Sequence, residues 1–180
     1  MATTQSFPAQ GDLTNVYFYY TCIAEAKQKY QTTEPHEKEY LTTVVLDKKQ
    51  YKEFIKIFPK KATQPVDTPE FEEKYKTAAP FPEQDEQFIL KFKQKTHKAN
   101  GEPMPDFLRP RVYQFDAEGV QQDITSTLVG NGSRGVLRWS AFQAEKATNP
   151  SVSLKEILVQ DLVPYEQPKV QAGFQDYKPQ

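Results

Sequence analysis

The sequence predicts a mainly β fold, a five-stranded barrel with an added hairpin and one or two helices. Three observations predict it. Aromatics make up 13 % of the 180 residues, with 12 Phe and 10 Tyr, and they cluster with β-branched residues in short runs. Those runs alternate with period two. The clearest helical periodicity follows the second of them.

Residues 15–24, NVYFYYTCIA, read as the first strand, with Val16, Phe18, Tyr20 and Cys22 on one face and Tyr17, Tyr19 and Thr21 on the other. Residues 38–46, KEYLTTVVL, read as the second. Asp47 then suits the N-cap of a helix whose Tyr51, Phe54, Ile55 and Phe58 share one face, with Pro59 ending it. A Pro-rich, charged excursion covers 59–87, with a short helix expected at 69–76. The strand 88–95 places Phe88, Leu90 and Phe92 opposite Ile89, Lys91, Lys93 and Lys95. Residues 109–116 and 120–124 make the hairpin. The loop VGNGSRG leads into a strand at 136–144, and 153–163 form the last strand. Five-stranded OB-fold barrels have this form, and their strand faces bind single strands. A β-sandwich stays open on turn spacing alone. The expected division is a flexible 1–14, a domain over 15–166 and a flexible tail over 167–180.

Bulk properties narrow the class. The net charge is -1, so no whole-chain basic signature points to nucleic acid. Cys22 is the single cysteine, which excludes an internal disulfide and suggests a reducing compartment. No apolar run approaches a membrane span, and no signal sequence is evident. A cytoplasmic protein is expected, in the host cell if it is viral.

Catalytic chemistry finds little support. His36 and His97 have no second His or Cys at i+3 or i+4, and one cysteine builds no zinc cluster. Asp116 with Glu118 and Glu83 with Asp85 would suit a two-metal nuclease, but they read better as solvated charge. VGNGSRG lacks the Lys-Ser/Thr ending of a phosphate loop, although its amides and Arg134 are candidates for a backbone phosphate. No enzyme activity, metal or cofactor is expected.

Local charge points elsewhere. Residues 88–146 hold nine basic and six acidic residues, a surplus of +3, and all four arginines of the chain. Lys91, Lys93 and Lys95 share a strand face, Arg111 alternates with Tyr113 and Phe115, and Arg138 shares a face with Phe142, opposite Trp139. Tyr17 and Tyr19 add an aromatic pair. Cations meet phosphates and flat rings stack on bases, so this set is a candidate single-strand surface. A solvated outer face with lysines guarding its edges is the competing reading.

FILKFKQKT at 88–96, VGNGSRGVLRWSAF at 129–142 and VSLKEILVQDLVPYE at 152–166, in that order, resemble the single-stranded DNA-binding proteins of T-seven-like bacteriophages and their relatives. NVYFYY and the helix after the second strand sit where that family has its first strand and barrel helix. The resemblance covers most of 15–166. It implies an OB-fold, sequence-tolerant binding of single-stranded DNA, and roles in replication, recombination and strand annealing. It assigns DNA contacts to Lys91, Lys93, Arg134, Arg138 and Trp139. It also implies an acidic tail with a terminal aromatic that contacts replication proteins. Here the sequence runs to GFQDYKPQ, where Asp176 and Lys178 cancel, so tail-mediated recruitment and tail-dependent dimerisation depart from the pattern. Duplex DNA is a subsidiary ligand, since the same cations suit its phosphates; a monomer and a dimer stay open. The alternative of another class is a structural or protein-interaction barrel without a nucleic-acid role.

Overall fold

The structure, a computed structural model, describes residues 7–165. Its longest strand, β1 (Gln10–Gln28), is bent by residues at positive φ, Asn15 and Tyr20, both at 51°. Its register shifts near both points, so one strand serves two partners. Over its first half it pairs with β7 (Ser133–Phe142), and from Tyr17 onward with β2 (Lys38–Leu46). The bulge at Tyr20 changes the expected alternation. Tyr19 packs on Tyr75 with centroids 5.2 Å apart, and Tyr20 approaches the same ring at 5.5 Å. Asn131 Oδ1 accepts from the Tyr20 amide at 2.8 Å, satisfying the bulged backbone.

The expected flexible segment 1–14 is corrected over the part that is described. Residues 10–14 belong to β1, Leu13 is buried, and Phe7 packs on Phe58 with ring centroids 6.0 Å apart. Residues 1–6 and the tail expected over 167–180 lie outside the described residues.

Helix α1 (Lys48–Ile57) starts as its sequence requires. Asp47 Oδ1 accepts from the Gln50 amide at 3.0 Å. The Gln50 side chain brackets the Thr14 backbone, accepting from its N–H at 3.0 Å and donating to its carbonyl at 2.6 Å, which ties the helix to β1. Tyr51, Phe54 and Phe58 then cap a core formed by Val16, Phe18, Leu90, Phe92, Leu137 and Ile157, among others.

The excursion at 59–87 is ordered by a core of its own. The short β3 (Val66–Asp67) pairs with β4 (Glu86–Lys95), and α2 (Thr68–Tyr75) carries Phe71 and Tyr75 onto Tyr19, Val45 and Ile89 on the outer sheet face. Gln87 is fully buried there, but its amide donates to Thr68 Oγ1 and the Phe81 carbonyl and accepts from the Phe81 amide. A buried polar group is tolerated when satisfied in this way.

The remaining strands are β5 (Arg111–Phe115), β6 (Gln121–Asp123) and β8 (Ser151–Asp161). The hydrogen-bonded order is β3-β4-β2-β1-β7-β8-β5-β6, antiparallel except for β5 with β8. The expected five-stranded barrel is therefore replaced by an open, mixed eight-stranded sheet with two helices. The sheet curls until β4 and β8 have Cα atoms within 8 Å, yet no ladder joins them. Gly135 permits the close approach of β7 to β8, since a Cβ there would collide with the Leu158 carbonyl oxygen. Among the described residues, no helix is long and apolar enough to cross a membrane.

Candidate nucleic-acid interface

The residues expected to form one surface separate into two groups. Lys91, Lys93 and Lys95 point outward from β4 and are exposed, while Phe88, Leu90 and Phe92 fill the core beneath. Arg134, Arg138 and Phe142 point outward from β7, with Arg111, Tyr113 and Phe115 on β5. Along the ladder, β2 and β1 lie between β4 and β7. Their outer residues Val45 and Tyr19 lie under the α2 layer, so the expected continuous face is interrupted.

Two of the expected stacking rings are unavailable. Trp139 is 5 % exposed, set edge-on against Phe54 and Phe58 at centroid distances of 5.7 and 5.0 Å, with Gly11 pressed on its indole. It is a core residue, because the pleat that turns Arg138 outward turns its neighbour inward. Tyr19 is 1 % exposed against Phe71 and Tyr75. Tyr17 is half-buried, edge-on to Phe81. Tyr113 is half-buried, whereas Phe115 and Phe142 are exposed.

Most of the expected cations already hold carboxylates. Arg138 Nη1 donates to Glu156 Oε1 at 2.7 Å, and its Nε and Nη2 donate to Asp12. The hydrogen bond from Arg138 holds the Asp12 carboxyl below its usual range, and the same pair pushes the guanidinium up. Arg134 Nε donates to Asp161 at 2.7 Å and its Nη1 to Asn15 at 3.2 Å. Arg111 pairs with Asp106 at 2.9 Å, and Lys93 with Glu39 at 3.2 Å. The glycine loop is likewise engaged within the fold: the Gly130 amide donates to Val163 O and the Gly132 amide to Phe18 O. Those amides do not form an anion-binding nest.

Lys91 and Lys95 make no salt bridge among the described residues. They belong to a row repeating every second residue, about 6.6 Å apart along the strand. Lys61 lies at the edge of this strand, its Nζ donating to the Lys91 carbonyl at 2.7 Å and lying 5.4 Å from the ring centroid of the core residue Phe92. Burial, and then the nearby Lys93 charge, lowers the Lys61 pKa.

At the end of β4 lies a pocket of about 410 Å³, lined by Lys38, Tyr40, Lys95, His97, Arg109 and Asp106, among others; Tyr40 pairs with Gln94, so it lies on the sheet face opposite the lysine row. The Arg109 guanidinium carbon lies 5.6 Å from the Tyr40 ring centroid, within cation–π range. Arg109 Nε is buried and has no acceptor among the described residues. Phe107, two residues from Arg109 on the same turn, is 83 % exposed. Sequence reasoning missed Lys38, Tyr40, Phe107 and Arg109 as a group. Their only signals were the i, i+2 spacing of Lys38 and Tyr40 and the RPR run.

Other candidate chemistry is accounted for locally. Asp116 Oδ1 accepts from the Glu118 and Val120 amides and Oδ2 from Gln122, so this carboxylate holds the hairpin turn. Burial pushes the Cys22 thiol up, away from the reactive thiolate. Among the described residues, no group of three or more His, Cys, Asp or Glu side chains is placed to hold a metal ion.

No family model matches the chain, and no curated protein matches it. Among solved structures, the chain is similar to the single-stranded DNA-binding protein from bacteriophage Enc34 in complex with ssDNA, at 14 % identity, 90 % coverage of each chain and a TM-score of 0.44. A second structure of the single-stranded DNA-binding protein from bacteriophage Enc34 gives 16 % identity, covers 91 % of this chain and 87 % of that one, and has a TM-score of 0.45. It is also similar to gp2.5, a single-stranded DNA binding protein encoded by bacteriophage T7, at 14 % identity, 92 % and 98 % coverage and a TM-score of 0.47.

Proposed function

We propose that this protein binds single-stranded DNA without sequence preference, along the outer face of β4. The observation that carries the reading is the exposed row Lys91, Lys93 and Lys95 on one face of β4, of which Lys91 and Lys95 make no salt bridge among the described residues. Exposed cations along one strand face meet backbone phosphates, and flat groups in the pocket at the end of the strand meet bases. The β7 arginines take a different role: their carboxylate pairs hold β1, β7 and β8 in register. The protein acts by binding, with no covalent step. The sequence resemblance extends this to replication, recombination and strand annealing in phage-infected cytoplasm, alongside replication proteins.

Fluorescence anisotropy with labelled oligo-dT, oligo-rU and duplex DNA at low salt tests the reading. Binding of oligo-dT in preference to duplex is expected. No anisotropy change with oligo-dT would end it and leave the protein-interaction alternative. Accelerated annealing of complementary strands is the corresponding test of the wider role.

A further inference from the structure

We infer that the pocket between Tyr40, Lys95 and Arg109 takes one unpaired nucleotide and is the subsite by which the protein tells single strands from duplex. This rests on the single-strand reading above and goes beyond it, because the lysine row alone would accept phosphates of either form.

The pocket has the size and chemistry for one nucleotide. Its volume of about 410 Å³ lies in the lower part of the range of small-ligand sites. Lys38, Lys95 and Arg109 line it with a single carboxylate, Asp106, which already holds Arg111 at 2.9 Å. Asp123 also lies within charge range of Arg109, so a phosphate meets a positive surplus that is partly offset. Arg109 and Tyr40 supply the base platform: the guanidinium carbon lies 5.6 Å from the Tyr40 ring centroid, and a base stacks on this pair. Among the described residues the buried Arg109 Nε has no acceptor, so this donor in the pocket wall is not spent within the fold.

Geometry then supplies the discrimination. A base within a duplex has both faces stacked and its pairing edge occupied, so it enters such a pocket only after leaving the stack. An unpaired base enters without that penalty. The β4 row lies on an exposed strand face and imposes no such filter.

The test has two arms on the full chain. In the first, thymidine 5′-monophosphate, thymidine and inorganic phosphate are titrated separately and followed by amide NMR. The monophosphate is expected to shift the signals of Lys38–Tyr40, Lys95–His97 and Arg109 at lower concentration than either fragment. Shifts confined to other regions, or an equal response to inorganic phosphate, would overturn the inference.

In the second arm, Arg109→Gln and Arg109→Lys are compared with wild type on oligo-dT and duplex. Both variants are expected to lose roughly ten-fold on oligo-dT, the scale of one stacking contact, with duplex affinity unchanged. Lys keeps the charge but not the plane, so its failure to rescue separates stacking from attraction. An unchanged ratio of single-strand to duplex affinity in folded variants would overturn the inference while the single-strand reading stands. Absence of oligo-dT binding by wild type would overturn that reading and this subsite's discriminating role together. Should both variants fail to fold, the monophosphate titration of wild type decides.

Discussion

Arg138 meets Asp12 across the β1–β7 ladder as a two-point pair, with Nε 2.7 Å from Oδ1 and Nη2 3.1 Å from Oδ2. Glu156 completes the bracket from β8. The positive charge that seemed in the sequence to face a ligand is thus matched within the sheet.

Removing this guanidinium should act on stability before it acts on binding. Arg138→Ala leaves two carboxylates facing each other across β7. The pair is partly exposed, which limits its worth to about 1 kcal/mol, or a melting temperature lower by about 2–4 °C. Thermal melting and oligo-dT affinity measured together check this. A stable variant with strongly weakened binding would return Arg138 to the interface.

The same pair gives a pH dependence with a definite sign. Asp12 has its pKa lowered in the folded chain by the Arg138 hydrogen bond. Its stabilisation is fully present above the ordinary carboxylate pKa of about 3.9 and is lost as pH falls through the lowered folded value. Melting of wild type and Asp12→Asn should therefore differ at neutral pH and converge in strong acid. A difference that grows on acidification would contradict the pairing.

Trp139 gives an optical readout, since it is the only tryptophan of the chain. Its indole sits between Phe54, Phe58 and Gly11, so its emission should be that of a buried ring and change little on adding oligo-dT. Trp139→Ala should destabilise by about 3–5 kcal/mol through the cavity it leaves. Strong quenching by oligo-dT would place the indole on the ligand.

Local signals made much of the fold legible. The strand 38–46 and the helix capped by Asp47 follow directly from alternation, from i, i+3, i+4 spacing and from a capping side chain. Alternation along β1 reads correctly from Val16 to Tyr19 and fails at Tyr20, because a positive φ breaks period two without a glycine to announce it. The choice between Arg138 and Trp139 depends on Phe54 and Phe58, about eighty residues earlier in the chain, which pack on the ring. Phe71 and Tyr75 are four apart in a charged segment, and their role appears only when Tyr19, Val45 and Ile89 are beneath them.

The candidate site was legible in part for the same reason. The lysines of β4 are adjacent in sequence and share a strand face, so period two finds them. Whether a cation is free depends on partners far along the chain, as with Asp12 and Arg138, and net charge over a window cannot show it. The pocket gathers Lys38 and Tyr40 from β2, Lys95 from β4 and Arg109 from the turn before β5, and only the curled sheet brings them together.

The most direct measurement is the salt dependence of oligo-dT binding by wild type and by the Lys91→Ala/Lys95→Ala double variant. These exposed substitutions should leave stability within about 0.5 kcal/mol of wild type. Wild-type affinity should fall linearly on a logarithmic salt scale. The double variant should bind more weakly on every sequence, with a slope shallower by roughly 0.7 for each phosphate contact removed. An unchanged affinity and slope in a folded double variant would show that single strands do not run along β4.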